Sequence, residues 1–103
     1  MERIREYPEL EASFELPEKV TVQTDLRFWA GWRQSDDYGD YVIIKRWELI
    51  VRLGLLNNWE CPYFENPKQP LDEIEDGRVA DLIVKVVADV VQYMKGLRAV
   101  PKN

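Results

Sequence analysis

Residues 76–97 read Asp76-Gly77-Arg78-Val79-Ala80-Asp81-Leu82-Ile83-Val84-Lys85-Val86-Val87-Ala88-Asp89-Val90-Val91-Gln92-Tyr93-Met94-Lys95-Gly96-Leu97. Val79, Ile83, Val86, Val90, Met94 and Leu97 recur at intervals of three and four, and Leu82, Val87 and Val91 widen the stripe. That period is helical. Asp81, Lys85, Asp89 and Gln92 mark the opposite, polar face, and Asp81 with Lys85 has the spacing of a favourable pair. Asp76 or Asp72 supplies a cap at the start, and Gly96 is a stop signal. Valine is a mediocre helix former, so this helix must be held by packing. The rest of the chain has to supply that packing.

Upstream, Tyr41 to Leu56 reads as a second helix with two apolar stripes. Ile43, Ile44, Trp47, Ile50, Val51 and Leu55 form one, and Val42, Leu49, Leu53 and Leu56 the other. A helix apolar on nearly all sides is central in a core or covered at a subunit interface, and so small a domain offers few neighbours to cover it, which favours an interface. Asn57-Asn58 is its expected stop. A first helix is expected from Thr24, with Asp25 in its first turn and Leu26, Phe28, Trp29 and Trp32 projecting from it. It ends in the turn Ser35-Asp36-Asp37-Tyr38-Gly39-Asp40, which lacks the ligand spacing of a calcium loop.

Before the helices, Phe14 and Leu16 alternate with polar residues, and so do Val20 and Val22 around Thr21, which predicts two short strands or a hairpin. Residues 57–77 predict a long irregular segment with Pro62, Pro67 and Pro70, of a length uncommon in compact domains unless it binds something or is disordered. Its aromatics argue against simple disorder. The expected fold is therefore mainly α: about three helices packed as a small bundle with a short N-terminal β segment or hairpin. Residues 1–11 form a polar arm, 12–97 a single helical domain and 98–103 a short tail.

Composition bounds the chemistry. The 103 residues contain no histidine and one cysteine, Cys61, but four tryptophans, five tyrosines and three phenylalanines. Without histidine a Ser–His or Cys–His dyad is impossible, and no phosphate-binding glycine pattern occurs. A lone cysteine makes no internal disulfide and no four-ligand zinc site. Carboxylate-only catalysis exists, but the carboxylates here are surface-like, and Asp36 with Asp37 point apart whether the segment is extended or turned. The expectation is a non-enzyme with no cofactor and no metal. The formal net charge of −5 argues against nucleic acid, no apolar run is long enough for a membrane span, and the charged start argues against a signal peptide. A cytoplasmic protein is expected. Acids cluster in residues 1–18 and 60–76, either as solvated segments or as flanks that steer a basic partner.

The order of pieces resembles that of small tail assembly chaperones of long-tailed bacteriophages and their prophage relatives. The pieces are Phe14-Glu15-Leu16-Pro17, Val20-Thr21-Val22, a helix with aromatics, an apolar helix leading to Trp59-Glu60-Cys61, Leu71-Asp72-Glu73-Ile74, a long helix and the ending Val100-Pro101-Lys102-Asn103. The resemblance implies binding of the long, helical tape-measure protein during tail assembly in the host cytoplasm, without catalytic residues. In that family a short and a frameshifted longer product are usual. Pro101-Lys102-Asn103 is compatible with a slippery codon run, so the chain is expected to be the short product. The expected protein-binding residues are Phe28, Trp29, Trp32, Trp47, Trp59, Tyr63 and Phe64. Self-association as a homo-oligomer, either alongside client binding or as the role of a structural phage component or a small cytosolic interaction domain, is the alternative.

Overall fold

The long C-terminal helix is the scaffold against which the other elements pack. A computed structural model describes residues 2–99. In it the helix spans Gly77–Leu97 and Asp76 caps it, its Oδ1 accepting from the Arg78 N–H at 3.0 Å. Gly96 does not end it; the backbone tightens instead, with Arg98 N–H donating to the Lys95 carbonyl at 3.2 Å. Leu82, Val86, Val90 and Met94 are completely buried along its inner stripe.

The expected bundle with a short hairpin is corrected by a three-stranded antiparallel sheet of order β1-β2-β3. Strand β1 is Ile4–Tyr7, β2 is Ala12–Glu15 and β3 is Asn57–Glu60. The polar arm is thus an edge strand. Arg5 pairs with Phe14 and Tyr7 with Ala12, so Tyr7 shares the face on which Ala12 and Phe14 are buried. Charged side chains along such an edge discourage pairing with other chains. A 3-10 turn, Pro8–Leu10, joins β1 to β2, and Glu11 closes it with φ 52°.

The third strand comes from the segment expected to be irregular. Ser13 pairs with Glu60 and Glu15 with Asn57, so β3 carries one more residue than β2 between these pairs. Asn58, with φ 51°, takes up that extra residue as a bulge. Its side-chain amide donates to Glu15 Oε2 at 3.1 Å across the ladder.

Val20-Thr21-Val22 is not a strand. Thr21 caps helix α1, Val22–Ser35, through its Oγ1, which accepts from the Thr24 N–H at 3.1 Å. A 3-10 segment, Asp36–Tyr41, leads into α2, Val42–Arg52. That helix stops well before Asn57 because Gly54 turns left-handed at φ 70°, and Leu55 N–H folds back to the Ile50 carbonyl at 3.3 Å. The long helix Gly77–Leu97 is α3. Helix α2 packs against both α1 and α3, which accounts for its two apolar stripes within one chain.

The sheet is tied to α3 by two tyrosines. Tyr7 donates its hydroxyl proton to the Asp89 carboxylate, and Tyr93 donates to the Pro17 carbonyl just beyond β2. The molecule measures 48 × 31 × 19 Å, and the smallest dimension fits two layers of secondary structure. Among the described residues no helix is long and apolar enough to cross a membrane. The Pro101-Lys102-Asn103 ending lies outside the described residues.

Candidate functional site: apolar helix surfaces

The aromatic residues singled out from the sequence fall into two clusters, and both are built largely for packing. In the first, Trp47 from α2 meets Trp59 from β3 edge-on at 5.7 Å between ring centres and Phe64 at 6.1 Å, while Trp59 also packs on Phe14 at 6.2 Å. Trp59 donates its indole N–H to the Phe64 carbonyl at 3.1 Å, pinning the start of the proline-rich link to the sheet. Tyr63 lies under the Arg78 guanidinium at 4.6 Å.

The second cluster lies along α1. Phe28 touches Trp29 edge-on at 5.0 Å and Trp32 at 5.5 Å. Arginines cover the tryptophans. Arg46 from α2 lies 3.9 Å from the Trp32 ring centre, and Arg98, beyond α3, lies 5.2 Å from that of Trp29. The Trp29 indole N–H is buried and meets no acceptor among the described residues.

Of the residues expected to bind a partner, Phe28, Trp47 and Phe64 are buried in the core, which leaves little of their surface for that role. Aromatics contribute the largest apolar area per residue, and a core assembled from a small sheet and three helices consumes it. Trp29, Trp32, Trp59 and Tyr63 are half-buried, each with a face covered by a neighbour.

Large hydrophobic side chains open to solvent lie elsewhere, and include Tyr38 and Tyr41 beside several aliphatics. Val22 and Leu26, one helical turn apart on α1, are 76% and 60% exposed. Leu97, at the end of α3, joins Val20 and Val22 around a depression of about 260 Å³. An ion pair of Arg98 with Asp25, at 2.7 Å, borders this ridge. The sequence concealed Val22 because it sat in an expected strand, where the next residue on its face is not Leu26. On α2, Ile44 is 41% exposed and stands at one wall of a groove beside residues 67–72.

Chemistry at these surfaces is sparse. Among the described residues, no three or more Cys, Asp and Glu side chains gather in a way that could hold a metal ion. Cys61 is buried. The clearest perturbed group is Tyr7, whose phenol is pushed far above its usual 10.0, first by burial and then by its hydrogen bond to Asp89. The Asp76 carboxyl is held below its usual range, chiefly by the hydrogen bond from Arg78, and Asp81 raises Lys85 in the same manner. These shifts follow from local pairs at helix α3 and the sheet. No protein-family model, curated protein or solved structure matches the chain.

Proposed function

We propose that this protein is a non-enzymatic assembly chaperone that holds an apolar, helical protein client in solution, in the manner of the phage tail chaperones its sequence resembles. One observation carries the reading: the Val22–Leu26–Leu97 ridge leaves large aliphatic side chains in water. Single exposed aliphatics are ordinary, but neighbours on one helix face that adjoin a third residue from another helix make a surface for a partner. Binding such a client lowers the free population that aggregates by mass action alone, so no nucleotide is needed.

The reading is tested by capturing the tagged chain from its source cells, as wild type and as Leu26→Asp, and identifying the proteins retained. A long helical protein that is retained by the wild type and lost with Leu26→Asp supports the chaperone. Recovery of the chain with nothing but itself removes the support.

Pairing of two copies through the same ridge is the second reading, since the exposed Val22 and Leu26 side chains could cover one another across a two-fold axis. Light scattering across a concentration series separates the two, since a client chaperone with a free ridge stays monomeric.

A further inference from the structure

Between α1 and α2 lies a groove of about 350 Å³ whose charged walls are two arginines, Arg27 from α1 and Arg52 from α2. Among the described residues no acid lines it. Gln34 adds an amide, Ala30 and Leu53 add apolar surface, and Gly31 lies over the buried Leu49. Past Gln34 and Leu49 the groove continues into a recess of about 130 Å³ beside Lys45 and Glu48. Glu48 is the one acid of that recess, and Lys45 already holds it at 3.7 Å.

The two arginines have no counter-charge. Arg3, Arg46, Arg78, Lys85 and Arg98 each pair with an acid, whereas Arg27 and Arg52 make no ion pair among the described residues. Both are exposed. On a chain with 19 acids against 14 Lys and Arg, the groove is thus a local positive site in an acidic surround. With a screening length of about 8 Å at physiological salt, the two nearby arginines outweigh more distant acids for anything seated between them.

A guanidinium is shaped to take a carboxylate or a phosphate through paired hydrogen bonds. Nucleic acid presents its charge over a far wider area and would meet the net charge of −5. A second copy offers the acids of residues 60–76, but Leu71 and Ile74 beside them pack on their own core and cannot also fill the groove. From Arg27 to Gln34 helix α1 advances about 10 Å, the span of two turns of a helix laid alongside it.

We propose that the α1–α2 groove binds an acidic amphipathic helix of a protein partner, with carboxylates one or two turns apart on Arg27 and Arg52 and an aliphatic side chain between them against Ala30 and Leu53. This is the helix-in-groove mode. The acidic surface around the groove repels such a helix, so charge fixes where and in which orientation it docks. The site shares no residue with the Val22–Leu26–Leu97 ridge and stands whether or not that ridge binds a client.

The experiment is a methyl NMR titration of the full chain with two synthetic helical peptides of equal length, one of Leu and Glu and one of Leu and Lys. The Leu–Glu peptide is expected to shift the Ala30, Leu49 and Leu53 methyls, to weaken with added salt, and to bind at least about tenfold more tightly than the Leu–Lys peptide. Arg27→Glu with Arg52→Glu should weaken it at least about tenfold. Arg33→Glu with Lys95→Glu makes the same change in net charge at unpaired cations outside the groove, and should weaken it less than about threefold. All four residues are exposed, and an unchanged spectrum elsewhere checks that the variants keep their fold. Inorganic phosphate should displace the peptide no better than chloride at equal ionic strength.

Equal binding of both peptides, or no binding of either, overturns the proposal. Equal losses in the two double variants would reduce the binding to general charge and overturn the groove. Phosphate that shifts the same methyls and displaces the peptide would make this a small-anion site, which also overturns it. Self-association of the chain that Arg27→Glu with Arg52→Glu abolishes would give the groove to a second copy instead. Shifts confined to Val22, Leu26 and Leu97 overturn the proposal while leaving the chaperone reading of the ridge intact.

Discussion

The Arg46 guanidinium lies over the Trp32 ring, 3.9 Å from its centre, and so locks α2 onto the C-terminal turn of α1. The same side chain donates from Nε to Ser35 Oγ at 2.8 Å and pairs with Asp36 Oδ1 at 2.8 Å, while Ser35 Oγ donates to the Trp32 carbonyl. Only the aromatic contact and the Ser35 bond are well shielded, since Asp36 is largely exposed. Arg46→Ala is expected to cost about 1–3 kcal/mol in urea unfolding, most of it from the cation–π contact and the loss of the bond to Ser35. Arg46→Lys should recover less than half, because lysine lacks the planar fork. Full recovery by lysine would show that charge alone matters there.

The burial of Phe28, Trp47 and Phe64 separates stability from binding. Phe28→Ala and Trp47→Ala should each cost about 3–5 kcal/mol, near the whole stability of a small domain. Val22→Ser and Leu26→Ser should change stability by less than about 0.5 kcal/mol, as surface substitutions do. Chemical denaturation of the four variants checks the ordering. A large loss of stability with Leu26→Ser would mean that the ridge is packed and offers no docking surface.

Gly31 and Leu49 meet where α1 crosses α2. A Cβ placed on Gly31 would lie 2.6 Å from Leu49 Cδ1 and 2.9 Å from Cδ2, and Leu49 is buried. Alanine gains about 1 kcal/mol of helix propensity over glycine but forces this contact, which typically costs about 1–3 kcal/mol. Gly31→Ala should therefore destabilise the wild type and stabilise the Leu49→Ala variant. A double-mutant cycle reads this directly. The same effect of Gly31→Ala in both backgrounds would mean that the close approach does not constrain the helices.

Tyr7 makes stability sensitive to alkali. Its neutral phenol is the form that the buried site accepts, so its pKa in the folded chain lies above the ordinary 10.0. A raised folded pKa means that the contribution is complete below about pH 10 and declines as pH rises beyond it. Wild-type stability should thus fall more steeply than that of Tyr7→Phe above about pH 10, with the two slopes equal at neutral pH. Urea midpoints measured on both proteins give the slopes. Parallel curves throughout would place Tyr7 in solvent.

The helices were legible in proportion to the length of their apolar pattern. Helix α3 repeats its Val, Ile and Leu positions over six turns, which no strand imitates, and its cap at Asp76 was among the residues expected. Strand β1 was not legible because Arg5 and Glu6 occupy two of its four positions, where a strand usually shows its apolar alternation; its pairing with β2 comes from long-range contacts. Strand β3 has one apolar residue, Trp59, and the bulge at Asn58 breaks its period of two. Three residues, Val20-Thr21-Val22, are too few to tell a strand from a capped helix start. At the candidate site, the aromatics were visible as the chain's main apolar mass. Their orientation was not, because it depends on a sheet assembled from residues 4–15 and 57–60. The exposed aliphatics Val22, Leu26 and Ile44 are the complement of that core and emerge only once it is built.

On the proposed reading, the α1 ridge keeps an apolar helical client from aggregating without nucleotide. The direct measurement is light scattering as the client retained in the capture experiment is diluted from urea into buffer with an equimolar amount of the chain. Wild-type protein should suppress the scattering with no ATP present, and Val22→Asp with Leu26→Asp should not. Scattering unaffected by the wild type, or suppressed equally by the variant, would contradict the account.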